Sequence, residues 1–295
     1  MNEFKTYHPI VNFLFFALVV VFSCILMHPV CLLISLICSF VYSSVLGGAY
    51  SIKTKLTYLL PMIIVAAVMN PAFNHEGITI LAYLPSGNPL TLESVIYGIC
   101  AAVVLASVIC WFSCYNAVMT SDKFIYLFGK IMPSLSSILS MTLRFVPKFI
   151  SQFKVVRNAQ KCVGRDISNG NILQRTKNAV TIFSIMITWA LESSVETADS
   201  MKARGYGLSG RTAFSNFKIS KRDLFAVAYI LILACYIIAA YILGAIDFRY
   251  FPSMVYQEIS FFGISAYAAY FMFCLMPVII EVWEVQRWKA LKLKI

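Results

Sequence analysis

One short segment near the middle of the chain, Ala203-Arg204-Gly205, combines arginine and glycine in a way that suits recognition of an acidic surface. Glycine adopts the left-handed backbone conformation that ends helices, so Arg204 is predicted to project from a helix end. A guanidinium presents a fixed fork of donors that matches a carboxylate. An arginine followed directly by glycine at a helix end therefore predicts docking to another protein through charge-assisted hydrogen bonds.

The residue types that carry catalytic, metal or nucleotide chemistry lack the spacing that such chemistry needs. The nine cysteines form no Cys-x-x-Cys pair, and none stands with histidine at zinc spacing. The three histidines fall at predicted helix ends and in a loop, which gives a His-based site little support. The sequence lacks a Gly-x-x-x-x-Gly-Lys-Ser/Thr loop, which would cradle nucleotide phosphates. We predict no catalytic residues, no metal site and no cofactor.

The amino-acid composition indicates that this helix end belongs to a membrane protein. Hydrophobic residues make up 60% of the 295 positions and charged residues only 13%, whereas soluble domains carry roughly 25% charged residues. Mean hydropathy is +0.79. Charged residues are absent from four long stretches, residues 6–52, 94–121, 224–246 and 259–280. The predicted fold class is an all-α integral membrane protein.

About six transmembrane helices are predicted within and between these stretches. A helix needs roughly 20 apolar residues to cross a hydrocarbon core of about 30 Å. The first stretch holds two helices that meet at His28-Pro29, and a shorter third helix contains Pro61. The predicted spans are residues 9–27, 30–46, 56–70, 95–115, 224–243 and 259–280. The connection at residues 71–93 is predicted to form a short hairpin or to lie on the outer interface.

The basic residues predict that both termini are cytoplasmic. In that orientation 23 of the 24 Lys and Arg lie on the inner side, and only Arg249 lies outside, in accord with the positive-inside rule. Topology and contact with anionic lipid account for the net charge of +11, so no nucleic acid partner is expected. We expect a multi-pass protein of the cell (plasma) membrane.

The block between the fourth and fifth spans is predicted to contain two long amphipathic cytoplasmic helices. Apolar residues recur at helical spacing from Pro133 for roughly eight turns, with a bend expected at Pro147. The second helix is predicted over residues 172–203 and carries an apolar stripe of Leu191, Val195 and Ala198. The predicted organisation is a membrane part at residues 1–120, a cytoplasmic domain at residues 121–222, and a second membrane part with a basic tail at residues 223–295.

Together these features resemble the T component of energy-coupling factor transporters, the EcfT/CbiQ family, whose relatives include the membrane subunit of cobalt importers. The resemblance covers nearly the whole chain, and its specific part lies between residues 133 and 223. The residues that carry it are Ala203-Arg204-Gly205-Tyr206-Gly207, Gly210-Arg211-Thr212, Lys221-Arg222-Asp223 and Leu143-Arg144-Phe145-Val146-Pro147.

The first of the two expected Arg/Gly motifs departs from the family pattern. Where the family shows Ala-Arg-Gly, this chain reads Cys162-Val163-Gly164-Arg165. Either the guanidinium has shifted past the glycine to Arg165, or the contact is lost and Val163 stands in its place. We favour the shift because Arg165 lies within one helical turn of the expected site.

The resemblance implies an energy-coupling transmembrane subunit of an ATP-driven importer of a micronutrient, either a vitamin or a metal ion. It implies two cytoplasmic ABC-type ATPase subunits as partners and a separate substrate-binding membrane protein, the S component. ATP hydrolysis is expected in the partners, so the chain itself is not expected to be an enzyme. The implied ATPase-docking residues are Ala203, Arg204, Gly205, Gly164 and Arg165, and the implied coupling-helix face is Leu191, Val195 and Ala198.

Two other classes of function are alternatives. An intramembrane enzyme needs ionisable residues inside its spans, and the clear spans contain no acid, base or metal cluster. A self-sufficient secondary transporter commonly shows internal repeats with interrupted helices at matching positions, and we find no repeat in the sequence.

Overall fold

A computed structural model describes residues 3–83, 89–129, 132–168, 170–206, 208, 217–256 and 260–292. The chain forms two compact units. The membrane unit comprises residues 1–124 and 217–295, and the central unit comprises residues 125–216. The helices are α1 (Pro9–Ile25), α2 (Pro29–Phe73), α3 (Leu92–Val118), α4 (Ser121–Gly129), α5 (Pro133–Cys162), α6 (Ile172–Ala203), α7 (Lys221–Ile242) and α8 (Phe261–Lys292), and the strands are β1 (Ile80–Tyr83), β2 (Pro89–Thr91), β3 (Phe248–Arg249) and β4 (Val255–Tyr256).

The predicted all-α membrane fold is confirmed, and each predicted span is a helix. Among the described residues, five helices are long and apolar enough to cross a membrane: Pro29–Gly48, Leu92–Val118, Ile172–Ala203, Lys221–Ile242 and Phe261–Arg287. Four of these are predicted spans, and the other is α6. The two remaining predicted spans are the shorter apolar helices Pro9–Ile25 and Thr57–Phe73.

The structure differs from the sequence prediction in several connections. Residues 47–55 lie between two predicted spans; the structure has a kink at Gly48, which separates two helices within α2, and the second helix begins before the predicted residue 56. Gly48 has φ 67° and ψ −177°, a conformation that only glycine adopts readily. The short helix α4 was not predicted, and α8 extends well beyond residue 280. The outer connection at residues 71–93 does contain a hairpin, in which β1 pairs antiparallel with β2.

Large aromatic side chains fill the centre of the membrane unit. Phe15 on α1 lies 5.3 Å from Phe16 and 6.0 Å from Trp111 of α3, measured between ring centroids, and all three rings are buried. The Trp111 indole N–H donates to the Ser35 hydroxyl over 3.0 Å, and Ser35 is 2.7 Å from the Ser23 hydroxyl. The serines satisfy the indole and let α1, α2 and α3 approach closely, as small polar residues do between membrane helices.

A buried lysine at the start of α4 holds the amino-terminal segment of the membrane unit. Lys123 is 4% exposed, and its ammonium donates to the carbonyls of Lys5 and Tyr7. The Asn12 amide, oriented so that both of its polar atoms are satisfied, accepts from the Lys123 ammonium over 2.6 Å. Burial, followed by the positive charge of Lys5, lowers the pKa of Lys123 from 10.5 to about 8, and Asp223 opposes the shift.

The same segment is tied to the first turn of α7. The Asp223 carboxylate accepts the His8 backbone N–H over 3.1 Å and the Ser220 N–H over 2.9 Å. Ser220 and Asp223 form a capping box that begins α7. The Arg222 guanidinium lies 4.2 Å from the centroid of the Tyr7 ring, in cation–π geometry. The segment before α1 therefore joins the starts of α4 and α7.

The lowered pKa of Lys123 predicts a pH-dependent stability. The unfolded chain binds the lysine proton with a pKa near 10.5 and the folded chain with a pKa of about 8, so the free energy of unfolding rises as the pH increases between these values. Thermal denaturation in detergent should show a midpoint that rises over this window. Lys123→Met should lack this component of the rise, and an unchanged pH profile in that variant would contradict the assignment.

Candidate functional site

The predicted docking arginine stands at the carboxyl end of α6. Arg204 is the C-cap, with φ −85° and ψ 8°, and Gly205 follows with φ 73°. The Gly205 N–H donates to the Lys202 carbonyl and the Tyr206 N–H donates to the Met201 carbonyl, each over 3.0 Å. This pair of hydrogen bonds is a Schellman motif, which needs a left-handed residue at the position of Gly205. The predicted termination of α6 at Gly205 is confirmed.

The carboxyl end of α5 repeats this geometry. Val163 is the C-cap, with φ −87° and ψ 8°, and Gly164 follows with φ 77°. The Gly164 N–H donates to the Lys161 carbonyl over 3.0 Å, and the Arg165 N–H donates to the Gln160 carbonyl over 2.9 Å. Both long helices of the central unit therefore end in the same backbone conformation.

The backbone hydrogen bonds show which residues occupy equivalent positions at the two helix ends. Val163 takes the position of Arg204, and Arg165 takes the position of Tyr206. The sequence left open whether Arg165 or Val163 takes the role of the arginine and favoured Arg165, which carries the guanidinium. The backbone match gives Val163 the position of Arg204, and the role of Arg165 in docking stays a prediction. Gly207 and residues 210–212, which also belong to the sequence motif, lie outside the described residues.

A buried aspartate organises the connection between α5 and α6. Asp166 is 3% exposed and accepts from the Ile167 N–H and the Ser168 hydroxyl. Its carboxylate lies 3.6 Å from the Arg157 guanidinium, and its carbonyl accepts from the Asn178 amide over 2.9 Å. The Ser168 hydroxyl, the Ile167 N–H and Arg157 hold the pKa of Asp166 below its ordinary value. The sequence alone did not indicate that Asp166 is buried or that it has these partners.

The two long helices contact each other through one mixed cluster, which we call the helix crossing: Lys148, Phe149, Trp189 and Ser193. The Lys148 ammonium donates to the Ser193 hydroxyl over 3.0 Å and lies 5.3 Å from the centroid of Trp189. The Phe149 and Trp189 rings meet edge to face at 5.3 Å. Buried apolar side chains of Val156, Ile182 and Met186 continue the contact. The spacing of residues along the sequence did not indicate this partner for Lys148.

Loss of the lysine at the helix crossing should loosen the pair of helices. Lys148→Met keeps the aliphatic stem but removes the hydrogen bond and the cation–π contact, which together contribute about 1–2 kcal/mol. We expect a lower thermal denaturation midpoint in detergent, with Lys148→Arg nearer to the unaltered protein. Lys154→Met, at an exposed position of the same helix, is the matched control. Equal midpoints for Lys148→Met and Lys154→Met would rule out this role.

Two grooves of different chemistry lie along α5 and α6. One has a volume of about 520 Å³ and is lined by the cationic side chains Arg144, Lys148 and Arg204, with Glu196 as the one carboxylate among its described lining residues. The other has a volume of about 360 Å³ and an entirely apolar lining of Phe149, Ile150, Phe153, Phe183, Met186, Ile187 and Ala190. The groove that contains Arg204 has the charge to receive an acidic partner surface.

The predicted apolar stripe on α6 is uncovered within the chain. Leu191 is 64% exposed and Val195 is 61% exposed, and Ala198 is exposed as well. Arg204 is also exposed, and its guanidinium makes no hydrogen bond or ion pair with another residue in the described part of the chain. These side chains are therefore available to a partner without any rearrangement of the central unit.

Comparison with known proteins agrees with this architecture. The family model of CbiQ, a cobalt transport protein, matches residues 5–214, more than two thirds of the chain. The energy-coupling factor transporter transmembrane protein EcfT of Lactobacillus helveticus is 33% identical over 97 residues, 32% of this chain and 35% of that protein. EcfT of Clostridium kluyveri is 33% identical over 102 residues, 34% of this chain and 38% of that protein.

EcfT of Lactococcus lactis subsp. cremoris is 32% identical over 105 residues, 35% of this chain and 40% of that protein. The chain thus spans between 35% and 40% of the length of these three relatives. The family match is broader than these pairwise alignments, and it includes both long helices of the central unit with the Arg204-Gly205 helix end. The chain therefore belongs to the CbiQ cobalt transport protein family of transmembrane T components, as its sequence motifs predicted.

Proposed function

We propose that this protein is the energy-coupling transmembrane subunit of an ATP-driven micronutrient importer. In this function it links two cytoplasmic ABC-type ATPases to a separate substrate-binding membrane S component. ATP is hydrolysed in the partner subunits. The cargo of this importer is a vitamin or a metal ion such as cobalt. Substrate specificity resides in the S component, so this chain does not select the cargo.

The observation that carries the proposal is the pair of equally terminated helices in the central unit. α5 and α6 both end in a Schellman motif, and α6 presents Arg204 at its tip without a partner among the described residues. An exposed arginine at the end of a helix can enter a pocket on another protein and pair with its carboxylate. We assign ATPase docking to Ala203, Arg204 and Gly205 at one end and to the Gly164-Arg165 end at the other.

The two helices are suited to transmit force. With 30 and 32 residues, each is about 45–48 Å long at 1.5 Å per residue. The helix crossing joins them through the Lys148–Ser193 hydrogen bond and the Phe149–Trp189 contact. Movement of an ATPase against a helix end would therefore turn the pair rather than bend one helix. The uncovered stripe of Leu191, Val195 and Ala198 offers a coupling face toward another subunit.

The orientation required for this function has both termini in the cytoplasm, with the central unit on the same side. The distribution of basic residues supports it, because 23 of the 24 Lys and Arg then lie inside. The importer is placed in the cell membrane, where the basic inner segments contact anionic lipid.

Single-cysteine labelling tests the orientation. In a variant without other cysteines, Glu76→Cys in the outer connection should react with a membrane-impermeant maleimide in intact cells. The native Cys162 at the end of α5, retained alone, should react only after the cells are opened. Both positions are exposed in the structure, so a lack of reaction reports the side of the membrane. Labelling of Cys162 in intact cells would contradict the proposed function.

Purification of the complex tests the function itself. The tagged protein, purified from its own membranes in mild detergent, should retain ATPase subunits and one small hydrophobic protein, identified by mass spectrometry. Reconstituted in liposomes, the complex should hydrolyse ATP. Recovery of the folded protein without any ATPase would reject the proposal and favour a self-sufficient transporter.

A further inference from the structure

The outer connection between α2 and α3 leaves apolar side chains exposed on both faces of its hairpin. All four residues of β1 are exposed, and Tyr83 is 69% exposed. Ala82 and Tyr83 pair in regular register with Leu90 and Pro89 of β2, so their side chains point to opposite faces of the sheet. The described part of the chain therefore covers neither face of β1. No Asp, Glu, Lys or Arg occurs in residues 77–92, so the hairpin carries no side-chain charge.

A buried polar framework fixes the base of the hairpin to α3. Glu93, in the first turn of α3, is 3% exposed and accepts from the backbone N–H and the hydroxyl of Thr79. The Thr91 hydroxyl donates to the Glu76 carbonyl over 2.7 Å. Gly77, with φ 141°, packs so closely that a Cβ there would lie 2.6 Å from the Glu93 carboxylate. Defined contacts therefore hold the hairpin in the position that exposes β1.

The helix before the hairpin also exposes an apolar surface. Residues Thr57–Phe73 form a short apolar helix within α2. One side of it packs on α3, where a Cβ added at Gly98 would lie 2.7 Å from the Ala67 carbonyl oxygen. Apolar side chains that a membrane helix leaves exposed lie against lipid. The exposed side chains of this helix are Ile64, Val65, Val68, Met69 and Phe73. Exposed apolar residues thus continue along the chain from the helix into the hairpin.

The length of this helix gives a reason for that continuation. Its 17 residues rise about 25 Å, whereas the hydrocarbon core is about 30 Å thick. A segment shorter than the hydrocarbon core leaves part of the apolar layer unmatched, and apolar or aromatic residues that flank the segment can occupy the remaining depth. The hairpin follows the end of the short helix directly and supplies such residues.

We propose that the hairpin of β1 and β2 is a lipid anchor that lies in the outer interface of the bilayer. Leu81 and Tyr83 contact the glycerol region and the upper acyl chains of phospholipids. This inference rests on the membrane orientation given in the proposed function, but it does not depend on the ATPase partners.

The backbone of the hairpin limits how deeply it enters the bilayer. A sheet of two strands has unpaired N–H and C=O groups along its outer edges, and such edges do not occur in the hydrocarbon core because no water is present to satisfy them. The headgroup region supplies that water. The amphipathic ring of Tyr83 suits the same depth, where tyrosine is enriched in membrane proteins.

Lipid fits this surface better than a protein partner does. A partner that packed on one face of β1 would leave the apolar side chains of the other face in water. Lipid at the interface surrounds both faces, so it accounts for the exposure of Ala82 and of Tyr83 together.

Spin labels at neighbouring positions test the location of β1. In a variant without other cysteines, a nitroxide is attached to Ala82→Cys, Tyr83→Cys or Glu76→Cys. The full-length chain is placed in liposomes of phosphatidylcholine and phosphatidylglycerol, alone and in its purified complex. Electron paramagnetic resonance then measures collisions of each label with molecular oxygen, which concentrates in the bilayer, and with a water-soluble nickel chelate. Oxygen collisions should exceed nickel collisions at both positions of β1, and the order should be reversed at the exposed Glu76.

Two outcomes of this experiment would overturn the inference. An excess of nickel collisions at either position of β1 would place the strand in water. Protection from both reagents at either position would show that a protein, another subunit or a second copy, covers that face. Each outcome leaves the proposed function intact if the ATPases are retained by the same complex.

Charged substitutions test whether these side chains hold the hairpin in lipid. In Leu81→Asp with Tyr83→Asp, burial of carboxylates in the interface is costly, so the label at Ala82→Cys should lose its excess of oxygen collisions. Leu81→Val with Tyr83→Phe is the matched control and should keep that excess. An unchanged excess in the aspartate variant would show that the adjoining helices alone place the hairpin, and would overturn its role as an anchor. Size-exclusion profiles verify that both variants are folded.

Discussion

Arg204→Ala is expected to impair binding of one ATPase severely and to uncouple ATP hydrolysis from uptake. Truncation of one partner of a buried, hydrogen-bonded charge pair typically costs roughly 2–5 kcal/mol, which is about thirtyfold or more in affinity. Membrane insertion should be unaffected, because the Arg204 guanidinium has no hydrogen bond or ion pair with the described residues of its own chain. The measurement is the dissociation constant of ATPase and subunit in detergent, together with uptake in cells.

Two further substitutions sharpen this result. Arg204→Lys should rescue binding only in part, because an ammonium cannot reproduce the two-pronged geometry of a guanidinium. Lys202→Ala, also exposed in the last turn of α6, removes a positive charge without removing the helix tip and should have a small effect. Normal ATPase binding and normal uptake by Arg204→Ala would show that Arg204 is not the anchor.

Val195→Asp is expected to weaken assembly of the complex at the apolar stripe of α6. Val195 lies one turn from Leu191, and both side chains are more than half exposed in the chain itself. A carboxylate at this position should therefore leave the fold intact but be costly in a desolvated interface, with a loss of at least 2 kcal/mol. The readout is the recovery of each partner subunit with the tagged variant, and Ala198→Asp should act in the same direction.

Ser194→Asp is the matched control for the stripe. Ser194 is exposed and adjacent to Val195, and it lies about 100° around the helix from Val195. It introduces the same charge at nearly the same height, at the border of the stripe rather than at its centre. Equal losses for Ser194→Asp and Val195→Asp would indicate an effect of net charge and would argue against a docking face.

The membrane helices and the ends of α6 were predictable because local physical rules determine them. A hydrocarbon core excludes charge, so the charge-free stretches locate the spans directly. The predicted bounds of the second long helix, residues 172–203, agree with those of α6, since Gly205 provides the left-handed turn that ends the helix. The residues of the family motif belong to these locally determined segments.

The helical conformation of residues 49–55 and the extension of α8 were missed for a related reason. Two lysines at residues 53 and 55 suggested a loop, but charged residues near a helix end are compatible with a helix that leaves the membrane. Propensity within a short segment does not decide where such a helix stops. The structure shows a kink at Gly48 that separates two helices, the second of which includes both lysines.

The sequence by itself determined the fold class, the spans and the position of the Arg204 helix end. Only the tertiary structure decided that the end of α5 has the same Schellman geometry as the end of α6, because that match depends on which carbonyls accept the last N–H groups of α5. Only the tertiary structure, likewise, joined Lys148 to Ser193, 45 residues away, and the buried Lys123 to the amino-terminal carbonyls. Composition and spacing report on the neighbours of a residue along the helix, whereas a contact between helices depends on how their surfaces pack.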